Sequence, residues 1–121
     1  MSSKFSILIF AATIIMFSCT SDENDISSVN DCTTSKPTYT GNIASIMNAS
    51  CALAGCHSAS SKSAGFDLSN YATTKSAAAN SKFLKSIKHE SDVNKMPQGG
   101  SKLPDSTIKL IECWISNGTP Q

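Results

Sequence analysis

Cys51-Ala52-Leu53-Ala54-Gly55-Cys56-His57 is the stretch on which the rest of the chain turns. Two thiols four residues apart, with an imidazole directly after the second, place three strong ligand groups on one short segment. The residues between the thiols are small apart from Leu53, and Gly55 lets the backbone leave regular geometry at little steric cost. Adjacent Cys56 and His57 side chains cannot easily converge on one small ion, whereas a broad flat ligand can take both. The chain is 121 residues long, with 16% charged and 40% hydrophobic residues, a formal net charge of +1 and five cysteines. That length holds one ordinary domain. The composition is globular, and the charge balance excludes a strongly basic nucleic-acid binder.

The shorter pattern Cys-x-x-Cys-His marks c-type haem attachment, in which two thiols reach two vinyl groups on one porphyrin edge and the histidine reaches the iron. Here the spacer is two residues longer, and the small residues Ala52, Ala54 and Gly55 leave room for a backbone excursion. Forty residues on comes Met96-Pro97-Gln98-Gly99-Gly100. A methionine in a Pro/Gly-rich loop is an unusual core residue, because such loops lie on surfaces. It makes sense as a thioether delivered to a metal, with His57 and Met96 as the two axial ligands of an electron-transferring haem.

The chain around these motifs reads as helical, with no convincing strand. Ile43, Ile46 and Met47 recur at i, i+3 and i+4 behind Thr40-Gly41-Asn42. Ser81 is placed to cap a second helix, with Phe83, Leu84 and Ile87 on one face and Lys82, Lys85 and Lys88 outside. A third starts at Pro104-Asp105-Ser106, carries the stripe Ile108, Ile111 and Ile115 flanked by Leu110 and Trp114, and ends at Asn117-Gly118. Residues 58–80 read as a loop broken by Gly65-Phe66-Asp67-Leu68, with one helical turn from Ser69. Few large apolar side chains are available, and cores this thin usually need a disulfide, a metal or a cofactor.

Residues 39–118 resemble a class I cytochrome c domain of the small bacterial type. The likeness rests on Tyr39, Ile43 and Ile46 ahead of the Cys/His motif, on Gly65-Phe66-Asp67-Leu68-Ser69-Asn70-Tyr71 after it, and on Met96-Pro97-x-Gly-Gly-x-x-Leu103 followed by Ile108, Ile111, Trp114-Ile115 and Gly118. The resemblance implies an all-α fold of three to four helices around one covalently bound haem c. It implies thioether bonds from Cys51 and Cys56, His57 as proximal and Met96 as distal iron ligand, and packing of the first helix on the last. The departure from the family is the Cys-x4-Cys-His spacing, which leaves open which maturation system accepts it.

Residues 1–18 read as a leader: a cationic start at Lys4, an apolar run from Phe5 to Phe17, then Ser18-Cys19. That run is too short to span a bilayer comfortably. Its end resembles a bacterial lipoprotein processing site, which implies lipidation of Cys19 and a membrane anchor, although Met16 stands where leucine is usual. Residues 19–37 then form the lipidated end and an acidic tether, and 38–121 the cytochrome domain. The acids Asp22, Glu23 and Asp25 also resemble a surface-export signal of Bacteroidetes lipoproteins. The expected location is the cell envelope of a Gram-negative bacterium, periplasmic or at the outer membrane or surface.

Cys32 and Cys113 remain, and outside the cytoplasm an even remainder points to a disulfide. At ~100° per residue Cys113 falls opposite the isoleucine stripe, facing outward, where a segment bearing Cys32 can lie across it. Nine lysines and no arginine lie beyond residue 31, and Lys82, Lys85, Lys88, Lys95 and Lys102 flank the distal side. Such a fringe steers an acidic redox partner, and solvated helix faces account for it equally well. His89 follows the lysine-rich helix as a surface residue or as a substitute for Met96. The expected function is a membrane-anchored monohaem electron carrier and not an enzyme, since no acid–base pair or substrate site is evident. Three rivals stay open: a zinc-binding structural domain on Cys51, Cys56, His57 and His89; a haem protein with an open sixth position, as in a sensor or peroxidase; and an anchored interaction module with a vestigial motif.

Overall fold

Tyr39–Ile43 winds as a π-helical turn and runs directly into α1, Ala44–Ser50. The start is fixed by a reciprocal cap: the Gly41 amide donates to Thr38 Oγ1 at 3.1 Å, and the Thr38 amide donates to Asn42 Oδ1 at 3.2 Å. A Cβ at position 41 would lie 2.9 Å from Thr38 Oγ1, so any larger residue there would have to displace the capping hydroxyl. The computed structural model describes residues 31–121 of the chain. Three further helices follow: α2, Tyr71–Ala78; α3, Ser81–Lys88; and α4, Asp105–Ser116. Among the described residues the architecture is all-α, with four α-helices and no strand.

The expected loop over 58–80 is corrected at its C-terminal end, where α2 forms eight residues in place of one turn. Asn70 caps it by accepting from the Thr73 amide at 3.1 Å. Asn80, and not Ser81, caps α3, accepting from the Lys82 amide at 2.9 Å. His89 ends α3 in the left-handed region at φ +62°. Gly118 at φ +84° follows the end of α4.

The core sits where the first helix meets α4. Ile43, Met47, Ile111 and Trp114 are fully buried, and Tyr39, Leu68 and Ile87 nearly so. Burial of each aliphatic of this size contributes roughly 1.5–3 kcal/mol. The Tyr39 ring packs against Trp114 with centroids 6.2 Å apart and against Tyr71 at 5.4 Å. The C-terminal tail closes over these rings. The Pro120 carbonyl accepts from Trp114 Nε1 at 2.8 Å and from the Tyr39 amide at 2.9 Å, while Tyr71 Oη donates to the Thr119 carbonyl at 2.9 Å.

Cys32 and Cys113 are joined, with Cα atoms 4.9 Å apart. Cys113 is fully buried, because the segment bearing Cys32 lies across it on the side of α4 where the helical wheel placed it. Residues of that segment, assigned to the tether, are held to the domain: Asn117 Nδ2 donates to the Ser35 carbonyl at 3.0 Å, and Pro37 is buried. The expectations for the leader, Cys19 and the acids of residues 20–30 lie outside the described residues. Among the described residues, no helix is long and apolar enough to cross a membrane.

Candidate functional site

The side of the domain away from the aromatic core is hollow. A cavity of about 850 Å³ opens between the loop after α1, helix α3 and the loop joining α3 to α4. That volume lies within the range of small-molecule and cofactor sites. Phe66, Leu68, Phe83, Ile87 and Leu103 give it an apolar lining. Cys51, Cys56, His57 and Met96 all line it as well. Four side chains chosen from two motifs forty residues apart therefore meet at one space.

The long spacer between the cysteines resolves into a closed excursion. α1 ends with the Cys51 and Ala52 amides both donating to the Met47 carbonyl, at 2.8 and 2.7 Å. The Cys56 amide then donates to the Leu53 carbonyl at 2.9 Å, and the His57 amide returns to the Cys51 carbonyl at 3.1 Å. Gly55 at φ +80° makes the tight reversal, its amide held by Ser61 Oγ at 2.9 Å. Leu53, Ala54 and Gly55 are displaced outward, and Leu53 is left 46% exposed at the mouth. Leu53 and Gly55 line the cavity together with both cysteines, and Ala54 is the exposed residue between them that does not.

His57 is held from behind. Its Nδ1 donates to the Phe66 carbonyl at 3.2 Å, an acceptor that fixes the proton on Nδ1 and leaves the Nε2 lone pair for a ligand. The Leu68 amide donates to the His57 carbonyl at 2.8 Å, and the Phe66 ring stands edge-on to the imidazole at 6.4 Å. Burial pushes the Cys51 thiol up to about 11, with the nearby Cys56 charge adding to the effect, so Cys51 stands as a neutral thiol at neutral pH. Cys56 is exposed, and neither thiol is in a disulfide.

Met96 reaches the cavity from the opposite stretch of chain. Its amide donates to the Ser86 carbonyl at 3.0 Å, and its carbonyl accepts from His89 Nε2 at 3.0 Å. The turn beyond it is tight: the Gly100 amide donates to the Pro97 carbonyl at 3.2 Å, and a Cβ on Gly100 would lie 3.3 Å from Pro97 Cβ. His89 is half-buried and does not line the cavity, so it is neither the free surface residue nor the substitute ligand that its position in the sequence implied.

This donor set fits a large planar ligand better than a small ion. Among the described residues, no three His, Cys, Asp or Glu side chains come together closely enough to hold a metal ion. The four-ligand zinc set is not assembled, since His89 lies outside the cavity and its Nε2 is engaged. The apolar side chains divide between the cavity and the core. Leu53, Phe66, Leu68, Phe83, Ile87 and Leu103 line the cavity, whereas Leu84, Ile111 and Trp114 pack in or against the core behind it. Polar wall residues such as Asn80, Ser86 and Asn94 carried no signal in the sequence, having neither periodicity nor a motif.

The lysine fringe is thinner than its count. Lys85 pairs with Asp92 at 3.0 Å, Lys88 with Glu112 at 2.7 Å and Lys102 with Asp105 at 2.8 Å. Lys82 stands on the cavity wall itself, and neither it nor Lys95 forms an ion pair among the described residues. No known protein family, curated protein or solved structure matches the chain.

Proposed function

We propose that this chain is a monohaem c-type cytochrome, an electron carrier with a class I cytochrome c fold. The observation that carries the reading is the convergence of Cys51, Cys56, His57 and Met96 on a single apolar cavity of about 850 Å³. Cys51 and Cys56 would hold the haem covalently, His57 would bind the iron through Nε2, and Met96 would supply the second axial ligand. Reversible storage of one electron at the iron is the chemistry the haem supplies when bound. The protein's part is to hold both axial groups and to exclude water. His57 is oriented by the Phe66 carbonyl, which raises its basicity, and Phe66, Leu68, Phe83, Ile87 and Leu103 keep the site at low dielectric. The soft thioether of Met96 would favour the reduced iron and raise its potential.

Cys19 would carry a lipid, placing the domain on a membrane of a Gram-negative cell envelope. The redox partner would be acidic at its contact, met by Lys82 and Lys95, which leaves a weaker steering field than five free lysines would give. With His57 and Met96 both bound to the iron, no position would be left for a substrate, and the protein would act as a carrier and not as an enzyme.

The test is the visible spectrum of the mature protein made in a host with c-type haem maturation. Sharp reduced bands, and a weak sulfur-to-iron band at the red edge that disappears in Met96→Ala, are the expected result. Reduced bands with no change in Met96→Ala would favour a haem protein with an open sixth position. A colourless protein would overturn the cytochrome reading.

A further inference from the structure

We propose that His89 is the positioning residue for Met96, holding the loop backbone so that the thioether is presented to the cavity. The inference rests on the cytochrome reading and adds a residue outside the ligand set. Met96 is the one candidate ligand without a helix or an adjacent ligand to place it. Methionine has three rotatable side-chain bonds, so the placement of its sulfur depends on how firmly its Cα is fixed. Both of its backbone polar groups are tied to the end of α3: the amide to the Ser86 carbonyl at 3.0 Å and the carbonyl to His89 Nε2 at 3.0 Å.

The geometry of His89 is built for this contact. At φ +62° it leaves the helix in the left-handed region, where non-glycine residues are uncommon. Its amide still closes α3 by donating to the Ser86 carbonyl at 3.2 Å. The same Ser86 carbonyl therefore accepts from both His89 and Met96, and with the imidazole it forms a small clamp around the Met96 peptide. A residue serving only as a helix stop would be better as glycine, which takes this φ without strain. The imidazole is what glycine cannot supply.

The test uses His89→Gly, which keeps the backbone conformation and removes the ring, and His89→Gln, whose carboxamide can donate to the same carbonyl. All measurements are made on the full chain at neutral pH. In the haem-loaded protein, His89→Gly is expected to weaken the sulfur-to-iron band and to raise the affinity for added imidazole about fivefold to tenfold, the loss of one part-buried hydrogen bond. Its thermal midpoint should stay level or rise, a split that a merely structural role would not produce. His89→Gln should recover the band. Retention of the band in His89→Gly, with imidazole affinity within twofold of the parent, would overturn the proposal. If the parent itself shows no sulfur-to-iron band, the Met96 ligation in the cytochrome reading fails and the positioning role falls with it. Hydrogen exchange at the Met96 amide in the haem-free chain then shows separately whether the clamp exists. About tenfold faster exchange in His89→Gly marks the clamp as real, and an unchanged rate removes that as well.

Discussion

Opening the Cys32–Cys113 bridge should cost this domain a large part of its stability. The bridge links positions with a sequence separation of 81. The loop-closure relation for a loop of that length gives about 4.5 kcal/mol at 25 °C, all of it from constraining the unfolded chain. Small domains have net stabilities of about 5–15 kcal/mol, so the loss is a third of the total or more. At about 4–8 °C per kcal/mol for a domain of this size, the thermal midpoint should fall by roughly 20–35 °C. The double variant Cys32→Ala/Cys113→Ala avoids leaving a buried hydroxyl, which a serine at the fully buried position 113 would do. Urea unfolding can be followed by the fluorescence of Trp114, the one tryptophan, which is fully buried. The urea slope should rise along with the loss of stability, because an unbridged denatured chain exposes more surface. A loss below about 1 kcal/mol with an unchanged slope would refute this reasoning. It would mean that the unbridged denatured chain is already compact, so that the bridge removes little entropy from it.

Three smaller perturbations follow from the same geometry. Trp114→Phe removes the hydrogen bond from Nε1 to the Pro120 carbonyl and leaves a void in the tightest part of the core, so unfolding free energy should drop by about 2 kcal/mol in denaturant titration. Asn80→Ala removes the cap of α3, the helix that bears Phe83 and Ile87 on the cavity wall, and should cost about 1 kcal/mol, read as a lower thermal midpoint. The hydrogen bond from Lys88, with a second from Lys109, holds Glu112 below the usual carboxylate range. A lowered folded-state value means that its contribution is fully present above the unfolded-state value and is lost as pH falls through the folded one. Stability should therefore decline on acidification, and Glu112→Gln should flatten that decline when midpoints are compared between neutral and acid pH.

What could be read from the chain was whatever large or reactive side chains encode. Ile43 and Met47, Phe83 and Ile87, and Ile108 and Ile111 marked three helices because branched and aromatic residues recur at helical spacing. α2 escaped because its buried face is built from Thr74, Ala77 and Ala78, small residues whose apolar signal is lost among neighbouring Ser, Lys and Thr. Its one clear mark was Asn70, a cap residue followed by a run free of Gly and Pro. The convergence of Cys51, Cys56, His57 and Met96 followed from ligand chemistry, which the composition of each segment carries. The closed path of Leu53–Gly55 did not, since it depends on the return of His57 to the Cys51 carbonyl. The tie from His89 to Met96 was hidden for a similar reason. A left-handed histidine has no periodic signature, and its partner is a backbone carbonyl rather than a recognisable side chain. Charge was misleading in the other direction: counting lysines overstated the fringe, because Asp92, Asp105 and Glu112 stand beside Lys85, Lys102 and Lys88 in space.

The most direct test of the account is peptide mapping by mass spectrometry of the mature protein after denaturation and acid extraction. The account predicts that one haem survives extraction and travels with the peptide containing Cys51 to His57, with both thiols consumed. Haem that washes out, or a Cys51–His57 peptide recovered with both thiols free, would contradict it.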